Sequence, residues 1–138
     1  MLAITDEPLD ILAVRAAVLD KTCGGVALFE GIVRADDDGT RCVVALEYEA
    51  HHSMAIAEFE RIARDVHVRF SGARIAMVHR IGRVRVGEPA VVVAVAAAHR
   101  EQAFLGCRYA IDELKMHAQI WKKEHFSDGS ADWRANDA

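Results

Sequence analysis

Lys115, Arg34, the pair His99-Arg100 and the run Lys122-Lys123-Glu124-His125 are the residues of this chain best suited to chemistry on an anion. His99 and Arg100 follow a long apolar run and open a helical pattern. Free backbone N–H groups and the helix dipole already favour a negative ligand there. Cations at that end oppose the helix, so two readings stand: an anion site, or a surface arginine beside a half-buried histidine. Arg34 ends a β-rich stretch just before Ala35-Asp36-Asp37-Asp38-Gly39-Thr40. It is either an anion ligand or the surface partner of Asp36 or Asp38. Lys115 lies one step off an apolar helical stripe. Partial desolvation would lower its pKa and suit it to act as a base or nucleophile. The alternative is a snorkelling lysine in a last helical turn, where a cation complements the dipole. Trp121 and Phe126 bracket the last run, which fits either an anion-pocket wall or the rim of a protein interface.

Other chemistries find no support. The seven His and three Cys form neither H-E-x-x-H nor a zinc-spaced cluster, so no metal site is expected. There is no Gly-rich phosphate loop and no G-x-S-x-G. Cys23, Cys42 and Cys107 are odd in number and form no C-x-x-C, which points away from a disulfide framework and toward a reducing cytoplasm. Cys107 lies on a helical core stripe and reads as packing. The start, Met1 to Glu7, shows no basic region followed by an apolar one, so no signal peptide is expected. The longest apolar run, Ala90–Ala98, is too short for a bilayer and reads as a buried strand. A net charge of −4 argues against a nucleic-acid groove, which needs a basic face.

These residues need a scaffold, and 138 residues with 52% hydrophobic composition suit one core, so a single domain over 1–138 is expected. Pro8 fits a first helical turn, and Leu9, Leu12, Ala13, Ala16 and Leu19 carry a helix to about Asp20. Val26–Val33 and Cys42–Glu49 are β-rich, joined by the acidic stretch as a hairpin or flexible loop. Val44, Leu46 and Tyr48 should share one face of the second strand. Ser53 is a candidate N-cap for a helix whose stripe is Ile56, Phe59, Ile62, Ala63, Val66 and Phe70, with Glu60/Arg64 and Asp65/Arg69 paired on its wet side. Three strands follow, Ala73–Ile81, Arg83–Val86 and Ala90–Ala98. A long helix then starts near His99 with the stripe Phe104, Cys107, Ile111, Leu114 and Ala118. The polar stretch 127–138 is expected to fray. Strands in blocks, with about three helices, favour α+β with a mostly antiparallel sheet.

Five segments, taken together, resemble the large, catalytic subunit of molybdopterin synthase: Gly25–Arg34 (GVALFEGIVR), Ala45–Glu49 (ALEYE), Val78–Gly82 (VHRIG), Ala98–Phe104 (AHREQAF) and Ile120–Glu124 (IWKKE). The likeness runs from about Gly24 to Trp133. It implies an α/β-hammerhead-like α+β fold and a sulfur transfer in molybdenum cofactor biosynthesis. The donor would be the thiocarboxylated Gly-Gly C-terminus of a small ubiquitin-like carrier. The acceptor would be cyclic pyranopterin monophosphate, which gains the dithiolene of molybdopterin. It further implies a homodimer within a heterotetramer, with no cofactor of its own. The only Gly-Gly here is internal, so the chain resembles the acceptor of the carrier tail and not the carrier.

By the same resemblance, Lys115 is the essential lysine and Lys122 a second pocket lysine, both catalytic and both binding substrate. Arg34 binds an anion, and His99-Arg100 reach the pocket of the neighbouring protomer. Glu124 is a pocket carboxylate and Phe29 an apolar wall. Some family members carry a basic residue where this chain has Ile32, so that position is not counted as a contact. Arg134, beyond the matching region, receives no role. Whether Lys115 acts covalently or through its charge stays open at this level. Two other classes remain: a non-catalytic anion- or nucleotide-binding module, and a scaffold subunit whose Trp121–Phe126 segment is only an interface.

Overall fold

The computed structural model describes residues 1–135. Their order is β1 (Leu2–Thr5), α1 (Ile11–Ala16), β2 (Gly25–Ile32), β3 (Val43–Ala50), α2 (His52–Arg69), β4 (Arg74–Arg80), β5 (Gly82–Arg85), β6 (Pro89–Ala97), α3 (Arg100–His117), β7 (Ile120–Phe126) and β8 (Ala131–Ala135). One sheet runs β1-β4-β6-β2 and the other β5-β3-β7-β8. All pairings are antiparallel except β1 with β4, so the expected α+β, mostly antiparallel architecture is found.

β6 explains the long apolar run. It lies between β4 and β2, and Ala90 to Ala97 are all buried, because both faces of the first sheet are covered. Val92, Ala94 and Ala96 meet Val14 of α1 and Val18 just beyond it on one face. Val91, Val93 and Val95 meet α2 and α3 on the other, through Phe59, Ile62, Val66, Cys107 and Leu114. Tyr48 of β3 and Ile120 of β7 join that larger core and fasten the second sheet to it.

Several sequence expectations give way. The first helix is short: Asp10 caps it by accepting from the Ala13 N–H at 3.1 Å, so Pro8 precedes it. Val14 and Val18 face inward while Leu12 is 77% exposed, because a brief helix on a sheet buries only one narrow line. The N-terminal segment holds a strand, β1, that extends the sheet beside β4, with Leu2 opposite Met77. β2 and β3 do not form a hairpin with each other. β2 pairs with β6 and β3 with β5 and β7, so the acidic loop crosses between sheets. A register shift between Val43 and Ala45 breaks the expected alternation and leaves Val44 exposed while Tyr48 is buried.

His51, not Ser53, caps α2, its ring nitrogen accepting from the Met54 N–H. The wet side of α2 is organised by Arg61, which reaches Glu58, Asp65 and Glu113, rather than by the expected i,i+4 pairs. Phe104 is 66% exposed, off the buried line of Cys107, Ile111 and Leu114. Residues 131–135 do not fray. They pair with β7, and residues 136–138 of that expectation lie outside the described residues.

Candidate functional site

The C-terminal end of α3 brings Lys115 to the seam between the sheets. Leu114 is anchored in the core, so the next side chain is half-buried at the seam's mouth. On β7, Ile120 and Phe126 point inward. Lys122 and Glu124 share their face by the two-residue period. Opposite them on β3 stand Tyr48, facing Lys122, and Leu46, facing Glu124. Phe29 and Arg34 arrive from β2 and its exit. These side chains enclose a cavity of about 220 Å³ lined by Phe29, Arg34, Asp36, Tyr48, Lys115, Lys122 and Glu124 among others.

Lys115 and Phe29 also line a second, larger space of about 1170 Å³. Its walls include Phe104, Ile111, Met116, Ile120 and Trp121, so it is predominantly apolar. The two spaces differ in chemistry and meet at Lys115.

Of the sequence-derived candidates, Lys115, Lys122, Arg34, Glu124 and Phe29 therefore come together on one cavity. His99 and Arg100 do not. They are exposed at the other end of α3, and fifteen residues of helix at about 1.5 Å each put Arg100 roughly 22 Å from Lys115. His99 makes no side-chain capping bond there.

The basic run of β7 also divides. Lys123 and His125 face the other side of the sheet. There His125 Nε2 lies 3.0 Å from Glu47 Oε1 and Lys123 Nζ sits 5.4 Å above the Trp133 ring. Of Lys122, Lys123 and His125, only Lys122 lines the cavity.

Arg34 is exposed, with Nε 3.1 Å from Asp36 Oδ1. Glu124 is mostly buried and ion-paired with Arg134 of β8, which stands opposite Lys122 in register. Arg134 is a neighbour of Lys122 and Glu124 to which the sequence assigned no role. The turn signal Ser127-Asp128-Gly129-Ser130 between two alternating segments could have revealed its strand, and hence its place.

Behind the cavity lies His79, fully buried on β4. Its Nδ1 is 2.8 Å from the Arg80 carbonyl, and its ring stands edge-on to Tyr48 with centroids 4.9 Å apart. Burial pushes its pKa down to about 4, aided by the nearby Lys115 charge and opposed by the Arg80 contact. Burial likewise pushes the Tyr48 hydroxyl up to about 12 and the Cys107 thiol up to about 11, so both stay protonated. Cys107 is thus a core residue, as its stripe position implies. Among the described residues no group of three or more His, Cys, Asp or Glu is placed to hold a metal ion.

The MoaE protein family matches residues 4–117. The chain belongs to the MoaE family of molybdopterin synthase catalytic subunits. The catalytic subunit of Nostoc sp. is 46% identical over 132 residues, covering 95% of this chain and 79% of that protein. The crystal structure of molybdopterin synthase from Staphylococcus aureus superposes with a TM-score of 0.90 at 33% identity, covering 95% of this chain and 94% of that one. A complex of subunits 1 and 2 of molybdopterin-converting factor from Helicobacter pylori shares the fold, with a TM-score of 0.77 at 23% identity over 92% of this chain and 86% of that one. The MoaE-family chain described here is accordingly an enzyme of molybdenum cofactor biosynthesis. No helix among its described residues is long and apolar enough to cross a membrane.

Proposed function

We propose that this chain transfers sulfur from the thiocarboxylated Gly-Gly tail of a small ubiquitin-like carrier to cyclic pyranopterin monophosphate, forming the molybdopterin dithiolene. The observation that carries the reading is the position of Lys115 where a small polar cavity meets a large apolar groove. The groove suits an extended peptide tail, whose small terminal residues pass between apolar walls while Arg108, Asp112 and Gln119 offer its backbone polar partners. The cavity suits a compact anion, which Arg34 and Lys122 would hold by charge-assisted hydrogen bonds. At the junction, the Lys115 ammonium faces the carbon–sulfur chemistry and stabilises the negative charge that develops there.

His99 and Arg100 enter this reading only through a second copy, since their own protomer holds them far from Lys115. We therefore include a homodimer within a heterotetramer, acting as one domain in a reducing cytoplasm without a resident cofactor. The test is reconstitution: chain, thiocarboxylated carrier and cyclic pyranopterin monophosphate are mixed and dithiolene product is measured. Product that depends on the thiocarboxylate supports the reading. Binding of both ligands with no product under any carrier supply rejects it.

A further inference from the structure

His79 is the one buried polar or charged residue among those described, and its Nε2 has no hydrogen-bond partner. Buried acceptors are normally satisfied, so an orphan that an apolar residue could replace calls for a reason. The tautomer follows from the geometry. The Arg80 carbonyl can only accept, so Nδ1 carries the hydrogen, and the neutral ring leaves Nε2 as a bare lone pair.

Its surroundings tie it to the cavity. Val91 stands opposite His79 on β6, Tyr48 meets its ring from β3, and both line the cavity with Lys115. On the other flank β1 presents Ile4. The charged groups near it are Lys115 of α3 and the adjacent Arg80, whose guanidinium turns to Glu88 at 3.4 Å.

We propose that His79 is a positioning residue of the site: its neutral imidazole, clamped by the Arg80 carbonyl and braced on Tyr48, sets an uncharged acceptor behind the Lys115 wall. The inference rests on the sulfur-transfer reading and deepens it. A neutral acceptor on the inner side favours the ammonium form of Lys115, which electrostatic stabilisation requires. A protonated His79 would do the reverse, placing a second cation behind the first. Burial and the Lys115 charge both work against that protonation.

The test uses the full chain with its carrier and two variants. His79→Phe keeps an aromatic ring at the edge of Tyr48 but has no lone pair. His79→Gln keeps a neutral acceptor. Two quantities are read: kcat and KM for the carrier, and the pH midpoint of Lys115 acetylation by acetic anhydride, followed by peptide mass spectrometry.

The Phe variant should lose about tenfold or more in kcat with KM within about twofold, and its Lys115 midpoint should fall by about one pH unit. The Gln variant should stay within about threefold of wild type with a nearly unmoved midpoint. If Phe does not fold, His79→Asn replaces it, since its shorter amide can serve the Arg80 carbonyl but not the Nε2 position. The same losses are expected.

Wild-type turnover and an unmoved midpoint in the Phe variant would overturn the proposal. Equal losses in Phe and Gln with no midpoint shift would overturn it too, because packing alone would then explain them. A wild-type chain that forms no dithiolene, but whose midpoint falls in Phe and holds in Gln, rejects the sulfur-transfer reading and leaves the His79–Lys115 coupling standing.

Discussion

Arg34 Nε lies 3.1 Å from Asp36 Oδ1, and both residues line the cavity that also holds Lys115 and Lys122. An arriving phosphate must therefore compete with a built-in carboxylate for Arg34. Exposed pairs of this kind are weak, so the competition is mild. Asp36→Asn should tighten inorganic phosphate binding about two- to fivefold at low salt, by calorimetry. Arg34→Ala should weaken it, and the Asp36→Asn gain should vanish in the double variant. A gain that persists without Arg34 would show that Asp36 acts through the general field of the loop.

On the proposed sulfur transfer, Lys115 serves chemistry and not folding. It is half-buried at the end of α3, and the core contact there belongs to Leu114. Lys115→Ala should abolish dithiolene formation while changing unfolding free energy by no more than about 1 kcal/mol. Lys122→Ala should leave a residual rate and raise KM for the pterin, with a loss that grows as salt is added. Near-normal turnover in Lys115→Ala would remove this lysine from the mechanism.

His79 also governs stability in acid. Its folded pKa is lowered to about 4 from 6.5. Between those values the unfolded chain binds the proton and the folded chain does not. Stability therefore rises with pH across that window and is lost as pH falls through it. The full effect is on the order of 3 kcal/mol. Asp38, held well below the usual carboxylate range by Thr40, acts with the same sign, because its folded form also resists protonation, but only in stronger acid. Urea unfolding between about pH 4.5 and 6.5 should show the slope in wild type and a flatter one in His79→Gln. Parallel slopes would mean the ring is protonated without cost.

Where one face of an element meets one partner, the sequence showed it. The stripes Phe59–Ile62–Val66 and Cys107–Ile111–Leu114 are periodic because each buries one face, and the run of β6 is continuous because both of its faces are covered. That Lys115 and Lys122 line one cavity was suggested by the family likeness alone, since the residue pattern left each with a second reading. What stayed hidden depends on pairing. β1 is four residues long and becomes a strand only because β4 offers an edge. The split of Lys122 from Lys123 and His125 needs the register with β3. Arg134 needs β8. His79 looked like one histidine of seven, because nothing in the sequence shows that Tyr48 will lie against it.

Gly24 and Gly25 let the entry of β2 pass close to the start of α3. A Cβ at Gly24 would come 2.5 Å from the Ala98 carbonyl oxygen, and one at Gly25 would meet Arg100 Cα at 3.5 Å. Backbone cannot yield as a side-chain tip does. Gly24→Ala should cost about 1–3 kcal/mol, read from urea midpoints. Gly25→Ala should cost less. The reverse order would mean that the β2 entry shifts more freely than the junction at His99.

The separation of Arg100 from Lys115 makes a prediction about assembly. If the site is completed across a two-fold, one protomer supplies Lys115, Lys122 and Arg34, and its partner supplies His99 and Arg100. Lys115→Ala and Arg100→Ala chains are then each defective alone. Unfolded and refolded together, they form mixed dimers in which one junction carries both defects and the other carries neither. Random assortment puts half the dimers in the mixed class, with one sound site of two, so activity should return to about a quarter of wild type. Sites confined to one protomer give no recovery at any mixing ratio. The dependence of the recovered rate on that ratio distinguishes a shared site from a change in dimer stability, because only the shared site peaks at equal amounts.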